Sequence, residues 1–560
     1  MATLKNYKFS YLVQDIMAGL VLTAILIPAG MGYAQAAGLM PIYGLYATII
    51  PLLAYAIFGP SRILVLGPDS ALIPLISATV IPLANGDPAR AIAIAGILSI
   101  LSGGLCILAG FAKFGFITEL LSKPIRYGYL NGIAAAVLVG QSPKILGFSV
   151  SGQNLGEEIL SIVRGVQEGK ANHTSLAIGL SCLLVILGLK LLAPRISGVL
   201  VAVIGATLVS SLYDLSNRTG IIVIGVLPQG LPSFQVPSVT DLEFGKLLST
   251  ALAIALVSFT DLSLLSRTFA VRGNYKVDRN QELIALGVAN IASGLFQGFA
   301  VSSSASRTPV AEAAGSKSQI TGVVGAACIA IILLVTPNLL QNLPQSALSA
   351  VVISAALAIF EISGTYRLYK LRKIEFFLSM ICFIGVVSMG VIQGIFIALG
   401  MALLAFVVSA WRPHYAVLGR VDGIKGYHDI SRHTEARIIP GLVIFRWDAP
   451  LFFANVETFC DRVVNSVLAA PTPTKWVLVA AEPVTDIDLT AADAIAELDK
   501  VLAQAGIKLC FAEMKGPTKD HLKRYGLFHK FGSDSFFPTI GQAVDGYLIA
   551  NQVEWHDWDE

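Results

Sequence analysis

Two short polar segments interrupt an otherwise apolar chain: Gly67-Pro68-Asp69-Ser70 and Ser302-Ser303-Ser304-Ala305-Ser306-Arg307. Each stands where a hydrophobic helix ought to run. Backbone N–H and C=O groups in hydrocarbon must be paired, so a helix can break there only inside protein or along a wet cavity. Interrupted helices in the two halves of a membrane region point to a binding site near the midplane. The Arg in the second break makes an anion the expected occupant.

Composition places these breaks in a membrane protein. Of 560 residues, 55% are hydrophobic and 13% charged, the balance of a polytopic chain and not of a soluble enzyme. A formal charge of +3 is too small to imply nucleic-acid binding. Cys106, Cys182, Cys328, Cys382, Cys460 and Cys510 form no CxxC spacing and fall mostly in apolar spans, so neither a disulfide framework nor a metal site is expected. No nucleophile–base pair, nucleotide loop or metal cluster is visible, which argues against an enzyme and against a cofactor.

Residues 1–412 alternate long apolar runs with short charged or Pro/Gly joints. Fourteen helices at membrane depth are predicted over 13–37, 42–59, 69–84, 90–111, 127–147, 174–193, 197–213, 247–271, 280–298, 305–315, 319–336, 344–361, 374–390 and 392–411. A span needs about 20 residues, so the third and tenth are short. Arg272, Lys276 and Arg279 follow the eighth span, and Arg367, Lys370, Arg372 and Lys373 follow the twelfth. These loops fall on the inner side if the N-terminus is cytoplasmic. Segments 148–173 and 214–246, of mixed charge, read as outer loops. Residues 413–434 are polar, contain His414, His428 and His433, and read as a linker. From 435 to 560, strand-like runs at 441–447, 475–480 and 507–512 and a one-faced helix at 490–504 predict a small α/β domain.

The run Pro28-Ala29-Gly30-Met31-Gly32-Tyr33-Ala34, continued by Ala37-Gly38-Leu39-Met40-Pro41-Ile42-Tyr43-Gly44-Leu45-Tyr46, resembles the signature of the SulP sulfate permease family. Gly67-Pro68-Asp69-Ser70-Ala71, Asp278 to Ala285, and Ser306-Arg307-Thr308-Pro309-Val310 followed by Gly315-Ser316-Lys317 agree with it. The part from Pro450-Leu451-Phe452-Phe453-Ala454-Asn455 resembles the attached STAS domain. The resemblance covers nearly the whole chain. It implies two inverted seven-helix repeats arranged as uracil-permease-like core and gate domains, a cytoplasmic α/β STAS domain, and a homodimer in the plasma (inner) membrane. It also implies secondary active anion transport, with proton-coupled sulfate symport by alternating access favoured. Bicarbonate, dicarboxylate or chloride-exchanging transport, and a non-transporting anion-gated protein, are the alternatives.

Helix N-termini carry partial positive charge and free N–H groups. If the third and tenth helices start near Asp69 and Ser306 and face each other, their amides form an anion cradle, which the resemblance makes the substrate site. Ordinary helix caps at a membrane surface are the alternative. The expected lining is Tyr33, Asp69, Ser70, Ser304, Ala305, Ser306 and Arg307. Arg307, costly to bury in a membrane by about 2.5–3.5 kcal/mol on the mildest scale, either adds positive potential to the site or serves a structural ion pair. Asp261 lies in the uncharged run 257–265, where desolvation disfavours an ionised carboxylate. It is either the proton carrier or is held by helix-ten hydroxyls or Arg307. The resembling symporters usually place a Glu there. Asp69 is a helix-capping residue or a second protonatable group, and Tyr33 a hydrogen-bond donor or a packing residue. Bicarbonate-transporting members place a Thr one turn after the Asp261 position to complete a sodium site; Leu265 stands there and offers no oxygen. Gln281 and Glu282 read as structural. Thr490 is expected at a helix start, as a capping residue or a phosphorylation site.

Overall fold

The computed structural model describes residues 7–115, 122–150, 155–193, 197–239 and 243–556. The chain divides into two compact units, one up to Ala402 and one from Leu403.

The first unit opens with helices α1 (Leu12–Ala36) and α2 (Pro41–Phe58), a two-residue strand β1 (Leu66–Gly67), and helices α3 (Ile73–Ala84) and α4 (Pro88–Phe111). Helices α5 (Lys123–Ile145), α6 (Leu155–Gln167), α7 (His173–Leu192), α8 (Gly198–Leu212) and the short α9 (Leu215–Thr219) follow. The order then recurs. Helices α10 (Phe244–Arg272) and α11 (Arg279–Leu295) precede strand β2 (Ser302–Ser303), and α12 (Arg307–Ala313) and α13 (Ile320–Val335) come after it. Helices α14 (Gln345–Ile359), α15 (Ile362–Leu371), α16 (Lys373–Met389) and α17 (Val391–Trp411) complete the run.

Packing pairs come in exchanged couples. α1 packs on α13 as α10 packs on α4; α2 packs on α13 as α11 packs on α4. α3 meets α10 as α12 meets α1, and α5 meets α16 as α14 meets α7. Such exchange is the mark of two inverted copies related by a pseudo-two-fold axis. β1 and β2 pair antiparallel, Leu66 with Ser303 and Gly67 with Ser302, an arrangement itself two-fold symmetric and shared equally by the two copies.

The α4–α11 contact explains why glycines recur every seven residues there. A Cβ on Gly103 would lie 2.6 Å from the Gly287 carbonyl oxygen, and one on Gly294 would lie 2.5 Å from that of Gly96. The two backbones touch, and van der Waals contact between small residues holds helices together in lipid, where the hydrophobic effect does not. Val13, Met17, Leu184, Leu191, Ile331 and Phe377 are exposed on the outer surface, as a lipid-facing wall requires.

Among the described residues, seven helical stretches are long and apolar enough to cross a membrane by length and composition. The remainder of the fourteen predicted spans include shorter helices, such as the 15-residue α8 and 16-residue α13, and α5, which carries Lys123, Arg126 and Lys144. The third span begins as helix only at Ile73, four residues after Asp69. Segment 148–173, read as a loop, contains α6, whose Leu155, Ile159, Val163 and Val166 recur at helical spacing.

The second unit is a six-stranded sheet in the order β4-β3-β5-β6-β7-β8. Its strands are β3 (Tyr415–Arg420), β4 (Tyr427–Asp429), β5 (Leu442–Trp447), β6 (Trp476–Ala480), β7 (Lys508–Ala512) and β8 (Phe536–Phe537). β5 to β8 run parallel, and β3 is antiparallel to both neighbours. Segment 413–434, expected as a linker, thus supplies two strands of the sheet. Alternation along β5 sends Val443, Phe445 and Trp447 to one face, under α18 (Val456–Leu468) and α19 (Leu489–Gln504). Leu442 and Ile444 go to the other face, beside α22 (Ile540–Asn551); α20 (Gly516–Arg524) and α21 (Phe528–Phe531) complete the unit.

Candidate functional site

The two breaks meet. Beyond the β1–β2 pair, the Ser304 N–H donates to the Val65 carbonyl at 3.0 Å, and the Val65 N–H donates to Thr308 Oγ1 at 3.2 Å. Each break therefore satisfies backbone groups of the other, which resolves the problem of open backbone at membrane depth. Asn290 on α11 holds the second break from behind, accepting the Val301 N–H at 2.8 Å and donating to its carbonyl at 3.1 Å. Ser293 donates to Phe299 O at 2.7 Å, and Ser302 to Ser258 O on α10 at 3.1 Å.

Arg307 lies at this junction and is 1% exposed. Its Nη2 donates to the Pro68 carbonyl across the two breaks. Nε and Nη1 have no hydrogen-bond partner among the described residues. Gly67 leaves room for the guanidinium, since a Cβ there would sit 3.0 Å from Nη1. The guanidinium carbon is 6.0 Å from the centre of the buried Tyr33 ring on α1, and the Ser70 side chain is buried at the first break. Ser304 is buried; its Oγ lies 3.2 Å from Ser306 Oγ and accepts the Arg307 N–H at 3.3 Å. Ala305 and Ser306 are exposed. Asp69, partly buried, accepts the Ala71 N–H at 3.1 Å and so closes a turn ahead of α3, not the first turn of the helix itself. The floor of the junction is accordingly strand and turn backbone with a guanidinium, and α12 contributes only seven residues. The Ser303 hydroxyl is buried there without a partner among the described residues.

Asp261 sits partly buried on α10. Among the described residues its carboxylate makes no hydrogen bond; the ionisable groups within electrostatic reach are Asp69, Arg126 and Tyr129. Asp69 in turn is within reach of Arg307. Of the readings given for Asp261, proton carrier or a carboxylate held by helix-ten hydroxyls or Arg307, the held one finds no hydrogen bond among the described residues; the cation within electrostatic reach is Arg126 on α5. Arg126 and Tyr129 escaped the sequence reading. Their spacing of three puts both on one face of α5, but Arg126 stands next to Lys123 at the mouth of a span and reads as a flanking charge. Leu265 packs against the apolar cluster of Tyr55, Phe259 and Leu262. Among the described residues, no group of three or more His, Cys, Asp or Glu side chains is placed to hold a metal.

Two buried carboxylates brace the segments that flank the breaks. Glu282 on α11 accepts the Tyr55 hydroxyl at 2.6 Å and the Ser61 hydroxyl, while Gln319 Nε2 donates to the carbonyls of Ser61 and Leu64 at 2.9 Å each. These contacts fix the approach to β1. Asp15 on α1, fully buried, accepts the N–H groups of Lys317 and Ser318 at 2.7 and 3.1 Å and the hydroxyls of Ser318 and Thr321 at 2.7 and 3.1 Å. It fixes the exit from α12 and was not anticipated. Gln281 is exposed. In the second unit Thr490 is exposed at the start of α19, and Asp488 is the capping residue, accepting the Ala491 N–H at 2.7 Å.

Comparisons with known proteins agree with this architecture. The family model described as the sulfate permease family matches residues 12–382, and that of the STAS domain matches residues 433–543. A probable sulfate transporter of Mycobacterium tuberculosis, Rv1739c, is 37% identical over 543 residues, covering 97% of this chain and 96% of its own. Probable sulfate transporter 4.2 of Arabidopsis thaliana is 29% identical, covering 97% and 82%. The murine Solute Carrier 26 family member A9 anion transporter, solved in the inward-facing state, superposes with a TM-score of 0.90 at 23% identity, over 98% of this chain and 93% of its own. With its inverted repeats, its paired breaks and its appended STAS domain, the chain belongs to the sulfate permease family.

Proposed function

We propose that this protein is a secondary active anion transporter that carries sulfate inward with protons by alternating access. The observation that carries the reading is Arg307: a guanidinium buried where two broken helices join, with two nitrogens left without protein partners among the described residues. A buried cation with unused donors is unfavourable unless an anion completes it. Relatives at 37% and 29% identity are named as sulfate transporters, which favours sulfate among the anions.

Sulfate is a dianion, and an inside-negative membrane opposes its entry by about 2.3 kcal/mol per charge per 100 mV. Two protons make entry electroneutral. Asp261 is one carrier in this scheme and Asp69 the second. Asp261 belongs to α10, which packs with α3 and α4, whereas Arg126 belongs to α5, which packs with α14 and α16. The Asp261–Arg126 attraction thus spans two helix groups. Protonating Asp261 removes that attraction and frees the group holding both breaks to move past the other. The chain works as a homodimer in the plasma (inner) membrane, with its N-terminus and STAS domain in the cytoplasm, in keeping with the Arg/Lys loops at 272–279 and 367–373.

Uptake of labelled sulfate into liposomes, with and without an inward proton gradient, tests this. The gradient should accelerate uptake, and Arg307→Ala should reduce it to background. Uptake that ignores pH but follows sodium would overturn the proton mechanism.

A further inference from the structure

Three of the chain's seven histidines converge in the second unit. His414, just before β3, His428 and Asp429 on β4, Arg432 and His433 in the following turn, and Arg446 on β5 line one solvent-facing pocket. Five of these six side chains can carry positive charge. We propose that this pocket is a proton-gated binding site for a tetrahedral oxyanion, taken as free sulfate or phosphate or as the phosphate of a lipid headgroup.

The charged groups facing the histidines set the gate. His414 Nδ1 lies 2.8 Å from Asp448 Oδ2, and its Nε2 lies 3.9 Å from Asp429 Oδ2. Arg446 Nε donates to Asp448 Oδ1 at 2.7 Å. His433 Nδ1 is 3.0 Å from Glu435 Oε1, and His428 Nε2 is 3.0 Å from the Lys425 carbonyl. With neutral imidazoles, the two arginines face three carboxylates, and the pocket repels an anion. Burial pushes the Asp429 carboxyl up, but the Ser431 side chain and N–H, with His414 and Arg432, prevail and hold it below the usual carboxylate range. Glu435 is likewise held below its usual value, by its own backbone N–H and by His433. Both therefore stay ionised near neutral pH, and protonation of the three imidazoles turns a net negative pocket positive. The His428 and His433 rings are 5.5 Å apart. Charging both is unfavourable unless an anion sits between their charges, so proton and oxyanion bind cooperatively. His414 follows Trp411, the end of the apolar α17, by three residues, which brings a lipid phosphate within chemical reach as well as a soluble ion.

The test uses the full-length protein in detergent, titrated calorimetrically with inorganic sulfate and inorganic phosphate at about pH 5.5 and about pH 8, either side of histidine's ordinary value. The Arg307→Ala background silences the proposed transport site. Should that variant not fold, the wild type reports the same event as one of two bound ions. Saturable binding is expected at the acid pH, about tenfold weaker at the alkaline pH, and lost in His428→Gln/His433→Gln. That double variant should leave sulfate uptake at neutral pH unchanged. In lipid nanodiscs, competition of sulfate by phosphatidic acid but not phosphatidylcholine assigns the headgroup as occupant, and absence of competition assigns the free ion. No binding at the acid pH, or binding indifferent to pH or to the double variant, overturns the proposal. Neither result depends on whether Arg307 handles cargo, so a failure here and a failure of the transport reading are told apart.

Discussion

Arg307 and Asp261 divide the labour of the proposed cycle, and substitution should separate them. Arg307→Lys keeps the charge but loses the planar fork that reaches Pro68, and it should also transport poorly. Asp261→Asn cannot shuttle a proton; it should lose gradient-driven uptake yet retain exchange of labelled for unlabelled sulfate. An Asp261→Asn protein that still responds to a pH gradient would remove this residue from the coupling step. Asp15 carries a different kind of load. It accepts four hydrogen bonds at the exit from α12, and Asp15→Ala leaves those buried donors without it. The cost should be about 3 kcal/mol or more, read as a clear drop in thermal unfolding temperature in detergent, with Asp15→Asn milder. At this scale the sequence drew attention to Asp261, a charge alone in an apolar run, and to Arg307, a charge in a polar break between apolar spans. It was silent on Arg126 and Asp15, which lie near the mouths of spans, where charges are ordinary.

Among elements, the α4–α11 contact has little slack. Gly103→Leu drives a side chain into the Gly287 backbone and should destabilise the protein by about 3 kcal/mol. Gly104→Ala is the control: a Cβ there meets nothing within 4 Å, and helix propensity alone should make it neutral or slightly stabilising, by up to about 1 kcal/mol. Thermal unfolding of the two variants side by side distinguishes a tight seam from a general intolerance of α4. Long helices and the buried strands β5, β6 and β7 were legible because hydrophobic runs mark them. The β1–β2 pair was not, since Leu66-Gly67 and Ser302-Ser303 share no strand pattern and only tertiary pairing makes them strands. β4 was hidden by polar sequence at the sheet edge, while β3, with its apolar run Tyr415 to Leu418 inside the sheet, was hidden by the polar residues that surround it in the chain. In α6, Glu157, Glu158 and Arg164 obscured an apolar stripe that the spacing nonetheless contains.

For the whole molecule, the exchanged packing couples mean that each half contributes helices to the other's environment. The sequence indicated two halves through their two breaks and, through resemblance, their inversion; it could not show that the breaks would bond directly to each other. A chain cut within residues 228–238 should yield fragments that accumulate only when made together and that copurify; stable insertion of either alone would contradict this. The reason lies in the two-residue ladder at the centre. Severed from its counterpart, each break would turn the peptide groups of its ladder, from Val65 to Gly67 or from Ser302 to Ser304, bare toward hydrocarbon, although Asn290 and Ser293 would still hold Val301 and Phe299. Duplication can copy a helix bundle, but here neither copy is a finished object until the clasp joins them.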